Sequence, residues 1–276
     1  MATNHLNIMI HRCLILAVGA VVLAAGCSRA PEKLTPEAAR ARGDELLKEM
    51  SKTLGGLQSF AYTAHEVREQ VKAGQKVEKS VTRQVVIRRP NGVAFTSKGE
   101  REGAGWYDGK HLTLVSNTDK VWARGPMPPS LDEALDFLSA EYAVQMPTAD
   151  LLYSSAYDAL MTPETKGGWV DVQTISNVPA DHLAYQGAVD WDLWLSQERH
   201  LPVKIKVVYK QAPGQPTATV TYTNLDLTPQ VTDDTFVAKV PEGFNRIRIM
   251  RHATVEDPAV AKADPAKADP AAKPAK

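Results

Sequence analysis

The sequence predicts an α+β fold that is mainly antiparallel β, a single curved sheet whose concave side is closed by helices. Three observations predict it. Period-two alternation recurs along the chain, as in Phe60, Tyr62 and Ala64 and again in Val203, Ile205 and Val207, which is the spacing of half-buried strands. Short turns rich in Gly or Pro join these stretches, and successive strands so joined pair antiparallel. Apolar stripes of helical period occur only near the start of the domain and in its middle, where they supply the surface that a curved sheet of few strands needs on its inner side.

The first element lies outside that domain. Arg12 precedes an apolar run from Cys13 to Gly26, which ends in Ala24-Ala25-Gly26-Cys27. Positive charge, a short apolar core and small residues describe a signal peptide over residues 1–26. The run is shorter than the ~20 residues that span a hydrocarbon core. Small residues before Cys27 resemble a lipobox, in which the cysteine is diacylated and becomes the first residue of the mature protein. The alternative is a signal peptide cut elsewhere, leaving an unpaired thiol at Cys27 in an oxidising compartment. The chain has 2 cysteines, Cys13 and Cys27, so the downstream domain has no disulfide or Cys-based zinc site. Residues 27–34 form a lipidated leader whose polar part extends on the order of 25 Å.

Lys+Arg and Asp+Glu each number 32, and residues 1–26 hold one Arg and no acid. The mature chain is left with 31 against 32, a formal charge of −1. Near-neutrality argues against nucleic acid as a partner.

Thr35-Pro36 offers an N-cap and a first-turn proline for a helix running to Leu54, where Gly55-Gly56 ends it. Ala39, Leu46, Leu47, Met50 and Leu54 form its apolar stripe. A long hairpin follows, from Phe60 through a Gly74 turn to Val77–Arg89. Gly105-Trp106-Tyr107 and His111 to Val115 flank Asp108-Gly109, the signal for a type I′ hairpin, and Val115 turns through Asn117 to Lys120 into Val121-Trp122-Ala123. Ser130-Leu131-Asp132-Glu133 is a capping box opening a helix with Leu131, Leu135, Leu138 and Tyr142 on one stripe. A further helix is expected from Leu151 through Leu160, after Pro147. Strand signals return at 169–172, 182–185, 190–195, 203–209 and 217–225. The domain is expected to span 35–256. Beyond it, 257–276 repeats Ala-Lys-Ala-Asp-Pro and holds almost nothing large or apolar, so it reads as a disordered tail.

The segments Ala149-Asp150-Leu151-Leu152, Tyr157-Asp158-Ala159-Leu160-Met161, Asp181-His182-Leu183-Ala184-Tyr185, Asp190-Trp191-Asp192-Leu193-Trp194-Leu195 and Leu201-Pro202-Val203-Lys204, in that order, resemble an uncharacterised family of predicted periplasmic proteins. That family is similar in turn to the LolA/LolB/LppX group of lipoprotein and lipid carriers. The resemblance covers roughly Leu46 to Ile247. It implies an unclosed, strongly curved β barrel of the LolA kind, with an apolar inner face partly plugged by helices, and it carries over no activity and no site residues.

No catalytic residue, metal site or cofactor is expected. Asp181 beside His182 would suit a base and its orienting acid, but adjacent strand residues point to opposite faces. Asp190 and Asp192 share a face opposite Trp191, Leu193 and Leu195, and two acids are too few for calcium. His65, His111, His200 and His252 lack the spacing of a metal motif. Strand aromatics are core more often than ligand box. The candidates for a ligand cavity are Phe60, Tyr62, Trp106, Trp122, Trp191 and Leu193.

The leading expectation is therefore an envelope lipoprotein, not an enzyme, that is anchored to a membrane through Cys27 and binds a lipid, acylated protein or other apolar ligand. The alternative is a structural or interaction protein with a filled core, whose tail meets the cell wall or a protein partner. Ser28 follows the anchor where an Asp would suggest inner-membrane retention. Placement on the periplasmic face of the outer membrane follows under the enteric sorting rule, with the inner membrane as the alternative.

Overall fold

A computed structural model describes residues 34–142, 149–249 and 251, and everything below concerns the unit that begins at Thr35. The expected signal peptide, Cys27, the leader up to Lys33 and the 257–276 tail lie outside the described residues, as does the expected domain end at 256.

Helix α1 spans Pro36–Gly56. Its start is the expected one: Thr35 caps it, its hydroxyl accepting from the Ala38 N–H at 3.3 Å. Strands β1 (Ser59–Lys72) and β2 (Gln75–Arg88) form the long hairpin, and Ala73 and Gly74 between them both take positive φ. Strand β3 (Gly92–Gly99) was not foreseen; β4 (Gly103–Tyr107), β5 (His111–Ser116) and β6 (Val121–Pro126) continue the meander. The β4–β5 turn differs from expectation. Asp108 N–H donates to the His111 carbonyl and Gly109 has positive φ while Lys110 does not, so this is not a type I′ turn. The Asp108 carboxylate takes up the Lys110 and His111 amides instead.

Helix α2 covers Leu131–Tyr142, and its capping box is present: Glu133 accepts from the Ser130 amide and hydroxyl, and Ser130 accepts from the Glu133 amide. The expected helix from Leu151 to Leu160 is split. A 3₁₀ turn at Ala149–Leu152 precedes α3 (Ala156–Leu160), because Ser154 turns to the Asp132 carboxylate and Ser155 caps a fresh start. Strands β7 (Lys166–Ile175), β8 (Val178–Gln186), β9 (Asp190–Ser196), β10 (Pro202–Val208) and β11 (Thr217–Asp226) follow, then the short β12 (Asn245–Arg246).

These strands build one curved, unclosed 12-stranded sheet in the order β12-β6-β5-β4-β3-β2-β1-β11-β10-β9-β8-β7. Every pairing is antiparallel except β12 with β6. The expected fold class is the one observed. Residues directly opposite in a ladder share a face, so each row of partners can be assigned to the helix-covered inner side or to the outer side.

The inner side carries two apolar clusters. One packs Leu46, Leu47, Met50 and Leu54 of α1 against Leu183, Tyr185, Trp191, Leu193 and Leu195. Each such α1 side chain contributes roughly 2 kcal/mol of burial. The other packs Leu131, Ala134 and Leu135 of α2 on Phe60, Val85, Ile87 and Tyr107.

Polar contacts fix α1 on the sheet. Buried Asp181 accepts from Arg42 at 3.0 Å and from the Trp169 indole N–H at 2.7 Å, while the Arg42 guanidinium lies 5.2 Å from the Trp169 ring centre. At the other end Arg89 donates to the Leu54 and Tyr153 carbonyls. A half-buried cation thereby adds a second donor to the Leu54 carbonyl, which also accepts the Leu57 N–H that caps the helix.

Candidate functional site

Where α1 and α3 stop covering the sheet, an open cleft of about 340 Å³ remains on the inner side. Its floor is Trp191 of β9 with Ile205 and Val207 of β10, which face inward because strand alternation sends Asp192, Lys204 and Lys206 the other way. Leu135, Asp150, Tyr153 and Leu160 wall it, and Thr162, Thr165, Val189 and Tyr209 form its rim. The volume lies at the lower end of the roughly 300–1,000 Å³ found for small-molecule pockets. A second gap of about 30 Å³ lies among Leu54, Phe60, Tyr62, Leu151, Leu152 and Leu225.

The structure separates the residues expected to line a cavity. Trp191 lines the cleft, and Phe60 and Tyr62 line the small gap. Leu193 is wholly buried in the cluster beneath α1. Trp106 and Trp122 are on the outer side: Trp106 shares a row with Ala94 and Thr113, and Trp122 with Val115 and Arg246. Their neighbours Tyr107, Leu112 and Phe95 pack inward instead. The Arg246 guanidinium covers Trp122 at 5.1 Å from its ring centre.

Two charged features of the inner side had not been anticipated. Burial holds the Asp150 carboxyl above its usual range. A carboxyl so raised favours the folded state below the unfolded titration and penalises it as pH rises through the folded value. Asp150→Asn is therefore expected to raise the melting temperature at neutral pH, with the gain vanishing below about pH 3.8, the ordinary value for this group. Melting curves from pH 3 to about 8 check this; an equal gain at every pH would show that ionisation is not the cause.

The second feature is Glu66, buried on the inner face of β1, which accepts from Arg68 Nε at 2.9 Å and from Arg83 across the hairpin. Burial raises the Tyr62 phenol, and Arg83 opposes that shift. Burial likewise raises Tyr209, with Arg68 opposing.

On the outer side, His182 stands between two carboxylates, Nε2 at 2.8 Å from Asp192 and Nδ1 at 3.3 Å from Asp171. Its ring stacks on Trp194 at 4.6 Å, and the Lys204 ammonium lies 4.6 Å from the Trp194 ring centre. A β-bulge at Val203 lets Val203 pack on Trp194 from the same side as Lys204. Asp181 points to the other face, as strand alternation requires. The described residues contain no group of three or more His, Cys, Asp or Glu placed to hold a metal ion.

Residues 43–250 match the family described as predicted periplasmic protein (DUF2092). The chain belongs to that family. No curated protein sequence matches this DUF2092 protein. Among solved structures it is similar to a LolA superfamily protein, NE2245 from Nitrosomonas europaea, at 13% identity and a TM-score of 0.35, covering 71% of this chain and 98% of that one. It is also similar to LprF from Mycobacterium bovis, at 11% identity and 0.44, covering 73% and 98%. A third is the Pseudomonas aeruginosa MucA/MucB complex, at 12% identity and 0.41, covering 71% and 61%.

Proposed function

We propose that this DUF2092 protein is an envelope lipoprotein, anchored through Cys27 to the periplasmic face of the outer membrane, that holds an acyl chain or similar apolar ligand in its inner-face cleft. The observation that carries the reading is the cleft floor. Trp191, Ile205 and Val207 line it from within the buried cluster, each no more than 6% exposed, and about 340 Å³ beside them stays unfilled, whereas a protein needing only a core would fill it. Binding needs no covalent chemistry: each methylene moved from water onto that floor contributes about 0.8 kcal/mol.

Native mass spectrometry of Ser28–Lys276, purified without detergent, is expected to show an added mass that extracts into organic solvent. Lipids brominated along the chain should quench Trp191 fluorescence, and the quenching should fall in Trp191→Phe. A bare mass, with no quenching and no change in melting on adding fatty acids or lipopeptides, would remove this reading. The anchor has a separate test. Intact mass of the detergent-extracted protein should begin at Cys27 with a diacylglycerol addition, and Cys27→Ser should abolish both the addition and the outer-membrane fractionation.

A second reading follows from the filled half of the inner face. Leu47, Met50, Leu183, Leu193 and Leu195 leave no space under α1, as in a structural or interaction protein of the envelope. On that reading a partner captured by the full chain is lost when 257–276 is deleted and no lipid binds.

A further inference from the structure

We infer that the ligand of the cleft is an anionic amphiphile whose carboxylate or phosphate head sits at Arg68. This rests on the cleft being a ligand site and adds the chemistry of the ligand's polar end. The cleft continues past Ala188, Val189 and Tyr209, which border both spaces, into a depression of about 430 Å³ lined by Arg68, Glu69 and Lys210.

The charges at that end do not cancel. Lys210 pairs with Asp190 at 2.8 Å and Lys76 with Glu69 at 3.0 Å. Glu66, 8% exposed, takes both Arg68 and Arg83, so two guanidiniums share one carboxylate and one positive charge is left over. Arg83 lines neither space, whereas Arg68 lines the depression; their side chains are 35% and 36% exposed. Its contacts to Glu66 use Nε and Nη2, and Nη1 carries no hydrogen bond among the described residues. A guanidinium with a free edge matches the geometry of a carboxylate or phosphate better than a point charge does.

Carboxylates gather at another part of the cleft wall, although Asp150 and Arg68 both act on Tyr209. Asp150 lines the cleft and also borders a depression with Asp132, Asp136 and Asp158. An anionic head is repelled there and attracted at Arg68, so the chain must run inward from Arg68 over Val207 and Trp191.

The test compares dodecanoate, dodecyl phosphate, dodecan-1-ol and inorganic phosphate binding to Ser28–Lys276 by calorimetry. Both anionic amphiphiles are expected to bind tighter than the alcohol by about tenfold or more, since a charge-assisted hydrogen bond is gained, and added salt should narrow the gap. Arg68→Gln should bring them down to the alcohol's affinity while leaving the alcohol unchanged, which also shows that the variant is folded. Arg68→Lys should keep part of the preference. Inorganic phosphate alone should show no binding at the concentrations that saturate dodecyl phosphate. If it binds as tightly as dodecyl phosphate, the site takes free anions and the inference is overturned. Equal binding of all three amphiphiles overturns the inference and leaves the cleft reading standing, whereas no binding by any of them overturns both.

Discussion

Gly43→Leu is expected to cost about 3 kcal/mol of stability, at the upper end of ordinary overpacking, and to lower the melting temperature by roughly 6–12 °C for a unit of this size. A Cβ at Gly43 would stand 2.5 Å from the Tyr185 hydroxyl, 2.9 Å from the Gly168 Cα and 3.0 Å from the Trp169 amide nitrogen. Two of those atoms are backbone and cannot swing aside. The contact is reciprocal, since a Cβ at Gly168 would come within 2.5 Å of the Ala39 carbonyl oxygen. Helix α1 therefore lies on β7 at a distance that only two facing glycines allow, and any side chain there lifts the helix and opens the apolar layer beneath it. Gly56→Ala is the control. Nothing lies within 4 Å of the Cβ at that position, so the same helix should be unchanged or gain up to ~1 kcal/mol from reduced backbone freedom in the unfolded chain. Thermal and urea unfolding of the two variants measure the contrast. A neutral Gly43→Leu would mean that α1 does not rest directly on β7.

Asp181→Ala is expected to cost roughly 2–3 kcal/mol, the range for a buried hydrogen bond to a charged acceptor. Asp181 is 2% exposed and serves two donors on different elements, Arg42 of α1 and the Trp169 indole. Its removal strands the indole N–H in the interior, whereas Arg42, with 44% of its side chain exposed, returns to water at little cost. Asp181→Asn should therefore be milder, because an amide oxygen still serves Trp169 and only a part-exposed ion pair is lost, worth ~1 kcal/mol or less. A double-mutant cycle with Arg42→Ala separates the contributions. Equal losses in the Ala and Asn variants would place the effect in the charge rather than in the indole.

Much of the architecture could be read where local rules decide it. Thr35, Pro36, Ser130 and Glu133 mark helix starts because capping involves groups only a few residues apart. The alternation of Asp190, Trp191, Asp192 and Leu193 assigns faces correctly because the pleat has period two. Cross-strand partners are another matter. His182 meets Asp171 and Asp192 rather than Asp181, through a β7–β8 register that shifts between Trp169 and Asp171. Nothing local encodes that shift. Trp106 and Trp122 show the same limit. Both occupy strands, but which face is inner depends on where α2 lands, and the inward ring at that point is Tyr107. Arg89, Asp150 and the Glu66–Arg83 pair went unrecognised because their partners are set by packing. The one local hint was the repeated charge at Glu66 and Arg68, inward positions of an alternating strand.

The separation in sequence between α1 and its supports has a kinetic consequence. Arg42 and Asp181 are 139 residues apart, Ser51 and Tyr157 are 106 apart, and β1 meets β11 through Thr63 and Asn224 at a separation of 161. A chain that emerges N-terminus first presents Leu46, Leu47, Met50 and Leu54 long before β7, β8 and β9 exist to cover them. The β1–β6 meander can pair with itself meanwhile, since its contacts are local, but the helix can dock only after nearly all of the sheet has been delivered. Such non-local closure folds slowly and leaves apolar surface open to aggregation while it waits. The first helix to be made is thus the last to find its place, and its stripe is the part of the nascent chain that most needs shielding.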